Sequence, residues 1–158
     1  MKHWQIFLLL LFASFISRFT WVGYEILNML FNLFGVLLYM VWYFAIGLEL
    51  SERLPRKVEL PKTMFIINGF VLILSIVLLA MIFDGHFESN GILGFIWIVY
   101  LMYAMIQFFF YPGKALKSIE LKKEAGIGEY IGYFLLMILW PIGIWWIQPK
   151  LNKLEASM

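Results

Sequence analysis

Four apolar stretches constrain this chain more than anything else in it: residues 26–48, 64–83, 92–111 and 127–147. A helix rises about 1.5 Å per residue, so stretches of about 20 residues match the roughly 30 Å of hydrocarbon in a bilayer. In lipid every backbone N–H and C=O must be satisfied inside the structure, and a helix does this within its own segment. The pattern predicts an all-α membrane protein, a bundle of four transmembrane helices preceded by a short apolar N-terminal helix.

The composition agrees. The 158 residues are 63% hydrophobic and only 14% charged, against roughly 25% charged in soluble domains. Residues 1–158 read as a single membrane domain, because no loop between the stretches is long enough to fold alone. Any function must reside in the bundle, its loops or a partner. A net charge of +2 gives no argument for nucleic acid. Basic residues beside apolar spans are better read as contacts to anionic lipid headgroups. The absence of cysteine excludes disulfides, thiolate metal sites and cysteine nucleophiles. There is no internal repeat and no low-complexity tract.

The N-terminus resembles a signal-peptide core, with Lys2 and His3 ahead of the apolar residues 4–17. The candidate cleavage pairs, Phe12/Ser14, Ala13/Phe15 and Ser14/Ile16, lack the two small residues that cleavage requires, so the segment is expected to be retained. As a helix it rises about 21 Å, short of a full crossing. It becomes a fifth span only if it continues to Val22 with Arg18 snorkelling to the interface. The reading adopted is a partly inserted helix and four full crossings.

Loop charge sets the expected orientation. Residues 49–62 carry Arg53, Arg56, Lys57 and Lys62, and residues 112–129 carry Lys114, Lys117, Lys122 and Lys123. Residues 84–90 hold Asp84, His86 and Glu88 and no Lys or Arg. The positive excess marks the cytoplasmic side, so loops 49–62 and 112–129 are expected there and loop 84–90 outside. The C-terminal tail, with Lys150 and Lys153, then emerges outside against the rule. A last span that turned back at Pro141 would remove the conflict; the expectation is instead a kinked span that crosses. Pro112–Gly113 should stop the third span, followed by a short surface helix or a solvated linker over 114–124. Trp140, Trp145 and Trp146, with Tyr130 and Tyr133, resemble interfacial aromatic belts.

Three constellations could carry chemistry. Glu25, Asn28, Asn32 and Gly35 recur at helical spacing on one face of the first span. Polar groups in lipid are costly unless paired, so the face should line a polar pocket or, as the preferred reading, join helices through amide hydrogen bonds. Gly128 and Gly132 stand four apart, the spacing that lets a second helix approach. Packing within the chain is preferred over a dimer face, and Glu129 between them is expected in the headgroup layer, with pairing to a lysine as the alternative. Asp84, His86 and Glu88 could ligate zinc or act as acid and base, with His3 the only other histidine; an ordinary solvated turn is preferred. Asn68, Ser75 and Gln107 should make local or interhelical hydrogen bonds. The chain contains no H-E-x-x-H, G-x-S-x-G, P-loop or dinucleotide fingerprint, and no catalytic residue, metal or cofactor is assigned.

Residues 114–120 (KALKSIE), 128–132 (GEYIG) and 140–152 (WPIGIWWIQPKLN), with 42–47 (WYFAIG) and the later Leu54–Pro55, resemble a group of small polytopic inner-membrane proteins of Gram-negative bacteria. The resemblance covers about two thirds of the chain, and its most specific part is the stretch from Pro141 to Lys150. It implies a bacterial inner membrane and carries no activity with it. The preferred function is therefore a non-enzymatic accessory subunit that binds a membrane-protein partner or a second copy. The alternatives are a small transporter or channel using the Glu25–Asn28–Asn32 face, and an enzyme acting through the outer loop.

Overall fold

The computed structural model describes residues 3–18, 20–82 and 91–156. Among them the chain forms six helices and no strand: α1 (His3–Ser17), α2 (Glu25–Glu52), α3 (Lys62–Ile82), α4 (Ile92–Leu121), α5 (Ile127–Ile138) and α6 (Trp140–Ala156). By length and composition α2, α3 and α4 are each able to cross a membrane. Several long apolar helices of this kind suggest a multi-pass membrane protein, the class the sequence predicts.

The fourth predicted span is not one straight helix. It breaks between α5 and α6, whose axes bend by 119°. The cause is local. Pro141 is best tolerated in the first turn of a helix, where its missing N–H is not needed. It therefore opens α6 instead of kinking a continuous span. Leu139 leaves the helical region (ψ 57°) as the C-cap of α5, and its carbonyl accepts from the N–H groups of Ile142 and Gly143. Gly143 makes the fold-back possible: a Cβ there would lie 1.7 Å from the Leu136 carbonyl oxygen. At 12 residues, α5 rises about 18 Å and stops well short of a crossing. Trp145 consequently returns to within 5.8 Å of Phe7, ring to ring.

A second departure lies at Pro112, which was expected to end the third span but sits buried inside α4. Helix continues to Leu121, so the expected separate surface helix is the last part of α4. Proline in a helix frees a carbonyl of the preceding turn, and in membranes a neighbouring side chain can re-satisfy backbone groups near the break. Beside the break, the Tyr43 hydroxyl donates to the Phe109 carbonyl at 2.7 Å, the neighbour of the Phe108 carbonyl that the proline leaves without its helical donor.

Helices α2 and α4 form the centre. Tyr43 on α2 lies against Phe108 and Phe109 on α4. Helix α3 joins them through Phe65, whose ring stacks on Phe44, Phe108 and Tyr111. Two glycines make room: a Cβ at Gly47 would strike the Phe65 ring, and one at Gly69 would strike Phe44. Helix α1 runs antiparallel to α2, with Ser17 beside Gly35 at one end and Ile6 and Leu10 near Tyr39 and Trp42 at the other. Helix α5 packs on α4 through the stacked rings of Phe110 and Phe134. Helix α6 then bridges back to α1, with Ile144 packed against Ile6 and Leu10.

Candidate functional site

The polar face of α2 is occupied in closing the turn between α1 and α2. The Asn28 amide accepts from the Trp21 N–H at 2.8 Å and donates to the Trp21 carbonyl at 2.9 Å. The Asn32 amide donates to the Ser17 carbonyl at 3.3 Å, one of the carbonyls a helix end leaves without an intrahelical partner. One turn further on, Gly35 brings the two helices together: a Cβ there would lie 2.7 Å from the Ala13 carbonyl oxygen. Glu25 is exposed at the start of α2, beside a cleft of about 780 Å³ that also touches Asn32 and otherwise has apolar walls from α2 and α3. The structure thus brings Asn28, Asn32 and Gly35 together on α1 and its turn, and leaves Glu25 outside that contact.

Gly128 and Gly132 are exposed, and nothing lies within 4 Å of a Cβ built on either. The expected packing within the chain is not formed there, because α5 approaches α4 through a different residue. Gly113 on α4 takes that part, with a Cβ position 3.1 Å from the Phe134 nitrogen. Glu129 accepts from the Gly126 N–H at 2.7 Å and pairs with Lys123 at 3.0 Å. The amide bond to Gly126 first, and Lys123 second, hold its carboxyl below the ordinary value. Asn68 and Gln107 meet across α3 and α4 at 2.7 Å, and the Tyr100 hydroxyl donates to Asn68 at 2.9 Å. Asp84, His86 and Glu88 lie outside the described residues. Among the described residues no three His, Cys, Asp or Glu side chains are grouped to hold a metal ion.

A charged cluster that the sequence reading did not single out joins α4, α5 and α6 beyond the apolar residues of α4. Glu120 receives Lys150 at 2.7 Å, Tyr133 at 2.8 Å and Lys117 at 3.3 Å. Lys150 also lies over the Tyr133 ring and donates to its hydroxyl. Partial burial opposes ionisation of Glu120, but the hydrogen bonds from Lys150, Tyr133 and Lys117 outweigh it and hold its pKa below the ordinary carboxylate value. For Lys150, burial favours the neutral amine, and the bonds to Glu120 and Tyr133 outweigh that and raise its value. The only signal in the sequence was the unexplained charge of the tail, Lys150 and Lys153.

A feature missed from sequence is a cleft of about 560 Å³ between α1, α2, α4 and α5. Leu10, Ala13 and Ser14 form one wall, Tyr39 the back, and Phe110 and Ile138 the far side. One end is closed by α6, through Ile144 beside Leu10 and Tyr39. Its size is in the usual range of small-molecule sites. Two of its hydroxyls are already used: Ser17 donates to the Ser14 carbonyl and Tyr39 to the Met137 carbonyl. The cleft exists because α5 stops at Ile138. A straight continuation would have lain along the outer half of α4, where residues 95–99 are instead exposed on every side of the helix.

Comparison of the chain with protein-family models, with curated proteins and with solved structures found no match.

Proposed function

We propose that this is a non-enzymatic multi-pass protein of a bacterial inner membrane, with residues 49–62 and 112–129 on the cytoplasmic side, that acts by binding a membrane-protein partner or a second copy. The observation that carries the reading is the use of its polar side chains: Asn28, Asn32, Asn68, Gln107 and Glu120 are all engaged in holding helices or turns together. Helix association in lipid relies on packing and interhelical hydrogen bonds, not on hydrophobic exclusion from water. The bare outer half of α4 supplies a surface for such packing. Photo-crosslinking in intact membranes tests it. A probe at Trp97 or Val99 should give one discrete adduct, while a probe at Leu74 on exposed α3 should not. Equal, diffuse labelling of lipid at all three positions would end the reading.

One observation favours a transporter instead, the cleft beside Glu25 and Asn32. A water path there requires Glu25→Gln to reduce a measurable ion or solute flux in vesicles.

A further inference from the structure

We propose that the cleft between α1, α2, α4 and α5 holds one acyl chain of an anionic phospholipid, with the phosphate at Arg18. The proposal goes beyond partner binding and rests only on the membrane reading of the helices. Three observations support a hydrocarbon occupant. The walls are almost entirely apolar, and the Ser17 and Tyr39 hydroxyls are turned to backbone carbonyls, so water would find few of the polar partners it needs. The cleft is open, and among the described residues its walls come from α1, α2, α4 and α5 alone, with α5 ending at Ile138 on its rim. From Leu10 to Ser17 the cleft follows α1 for two turns, about 10 Å of depth, enough for part of one extended chain and too narrow a span for a whole helix of a partner.

The headgroup assignment comes from charge. Among the described residues, Lys114, Lys117 and Lys150 near the α6 end are each paired with a glutamate. Arg18 directly follows Ser17 at the opposite end, is exposed, and makes no ion pair with a described residue. A guanidinium there matches a phosphate in charge and fork geometry. Glu25, the described carboxylate at that end, sits in the first turn of α2, where the helix N-terminus already favours it.

Native mass spectrometry of the full chain in mild detergent tests the proposal, followed by titration of delipidated protein with phosphatidylglycerol and with diacylglycerol of the same chains. One retained phospholipid per chain is expected. Binding should be about tenfold weaker for diacylglycerol and for the Arg18→Gln protein with phosphatidylglycerol. Ile106→Trp and Ile138→Trp, both at exposed positions on the rim, should abolish retention while circular dichroism stays unchanged. Absence of retained lipid, a lipid-free dimer, or unaltered binding in both tryptophan variants overturns the site. Equal affinity for the two lipids overturns the Arg18 assignment. Recovery of the chain in the soluble fraction without detergent would instead overturn the membrane reading itself.

Discussion

Lys150 lies 2.7 Å from Glu120, so the tail of the chain returns to the end of α4 from which α5 departed. A straight last span would have carried Lys150 to the opposite side of the bundle. The bend at Leu139 instead sets the basic tail beside Lys117 and Glu120 of α4.

This gives the first prediction. Single cysteines at Arg56, Lys117 and Lys153 should label from one side of the membrane, and one at Val22, fully exposed in the α1–α2 turn, from the other. The cysteine-free chain makes the labelling specific. Labelling of position 153 together with position 22 would mean that the last apolar stretch crosses.

Gly143 is expected to decide that geometry. With the Leu136 carbonyl oxygen 1.7 Å from a would-be Cβ, Gly143→Leu cannot close the turn without moving backbone. Its cysteine reporter at position 153 should show mixed or reversed sidedness. Gly128→Leu, with open space at its Cβ, should leave the pattern unaltered.

The glycines also separate two kinds of helix contact. Gly35→Leu places atoms against Ala13 and Ser17, and overpacking of this kind typically costs about 1–3 kcal/mol. Its melting temperature in detergent should fall. Gly132→Leu should melt within error of the parent, the reverse of what the Gly128–Gly132 spacing alone suggests. A large loss at Gly132 would point to a second copy on that face.

Much of the fold was legible because the long apolar stretches admit few alternatives. α2, α3 and the first part of α4 follow from length and hydropathy alone. Departures occur at the prolines and at the Gly128–Gly132 pair. Pro112 is tolerated inside α4, where it is buried among the other helices, and no local pattern reports that packing. Pro141 in an apolar stretch predicts a kink; the bend is 119°, and Gly143 two residues on is what lets the backbone turn so tightly. Asn28 and Asn32 were correctly grouped by spacing, but their partners are backbone groups of Trp21 and Ser17, which spacing cannot identify. The cleft left no signal because it arises from where α5 stops.

Those two amides permit a modest prediction. Membrane-protein hydrogen bonds average about 0.6 kcal/mol in measured cycles, and Asn28 is half-buried and Asn32 exposed. Asn28→Leu with Asn32→Leu should lower stability by about 1–2 kcal/mol and increase proteolysis between α1 and α2. Cellular function should survive at reduced abundance. Loss of function at full abundance would restore this face as a site.

The Glu120–Lys150 pair should give the hairpin a pH dependence of definite sign. Glu120 titrates lower in the folded protein than in the unfolded chain, so its contribution is present above the ordinary carboxylate value of about 4.3 and lost as the pH falls through the depressed one. Lys150 titrates higher when folded, so its contribution is present below about 10.4 and lost as the pH rises through the raised value. Both act fully at neutral pH. Side-chain exposures of 29% and 38% mean solvent screening, which limits the pair to about 1 kcal/mol or less. The melting-temperature difference between the parent and Glu120→Gln should therefore be a few degrees and flat from about pH 6 to 9. It should shrink in acid as the parent loses the same charge. A difference that instead grows as the pH falls below 4 would show that Glu120 is held in its protonated form, and that the tail is fastened to α4 by something other than this ion pair.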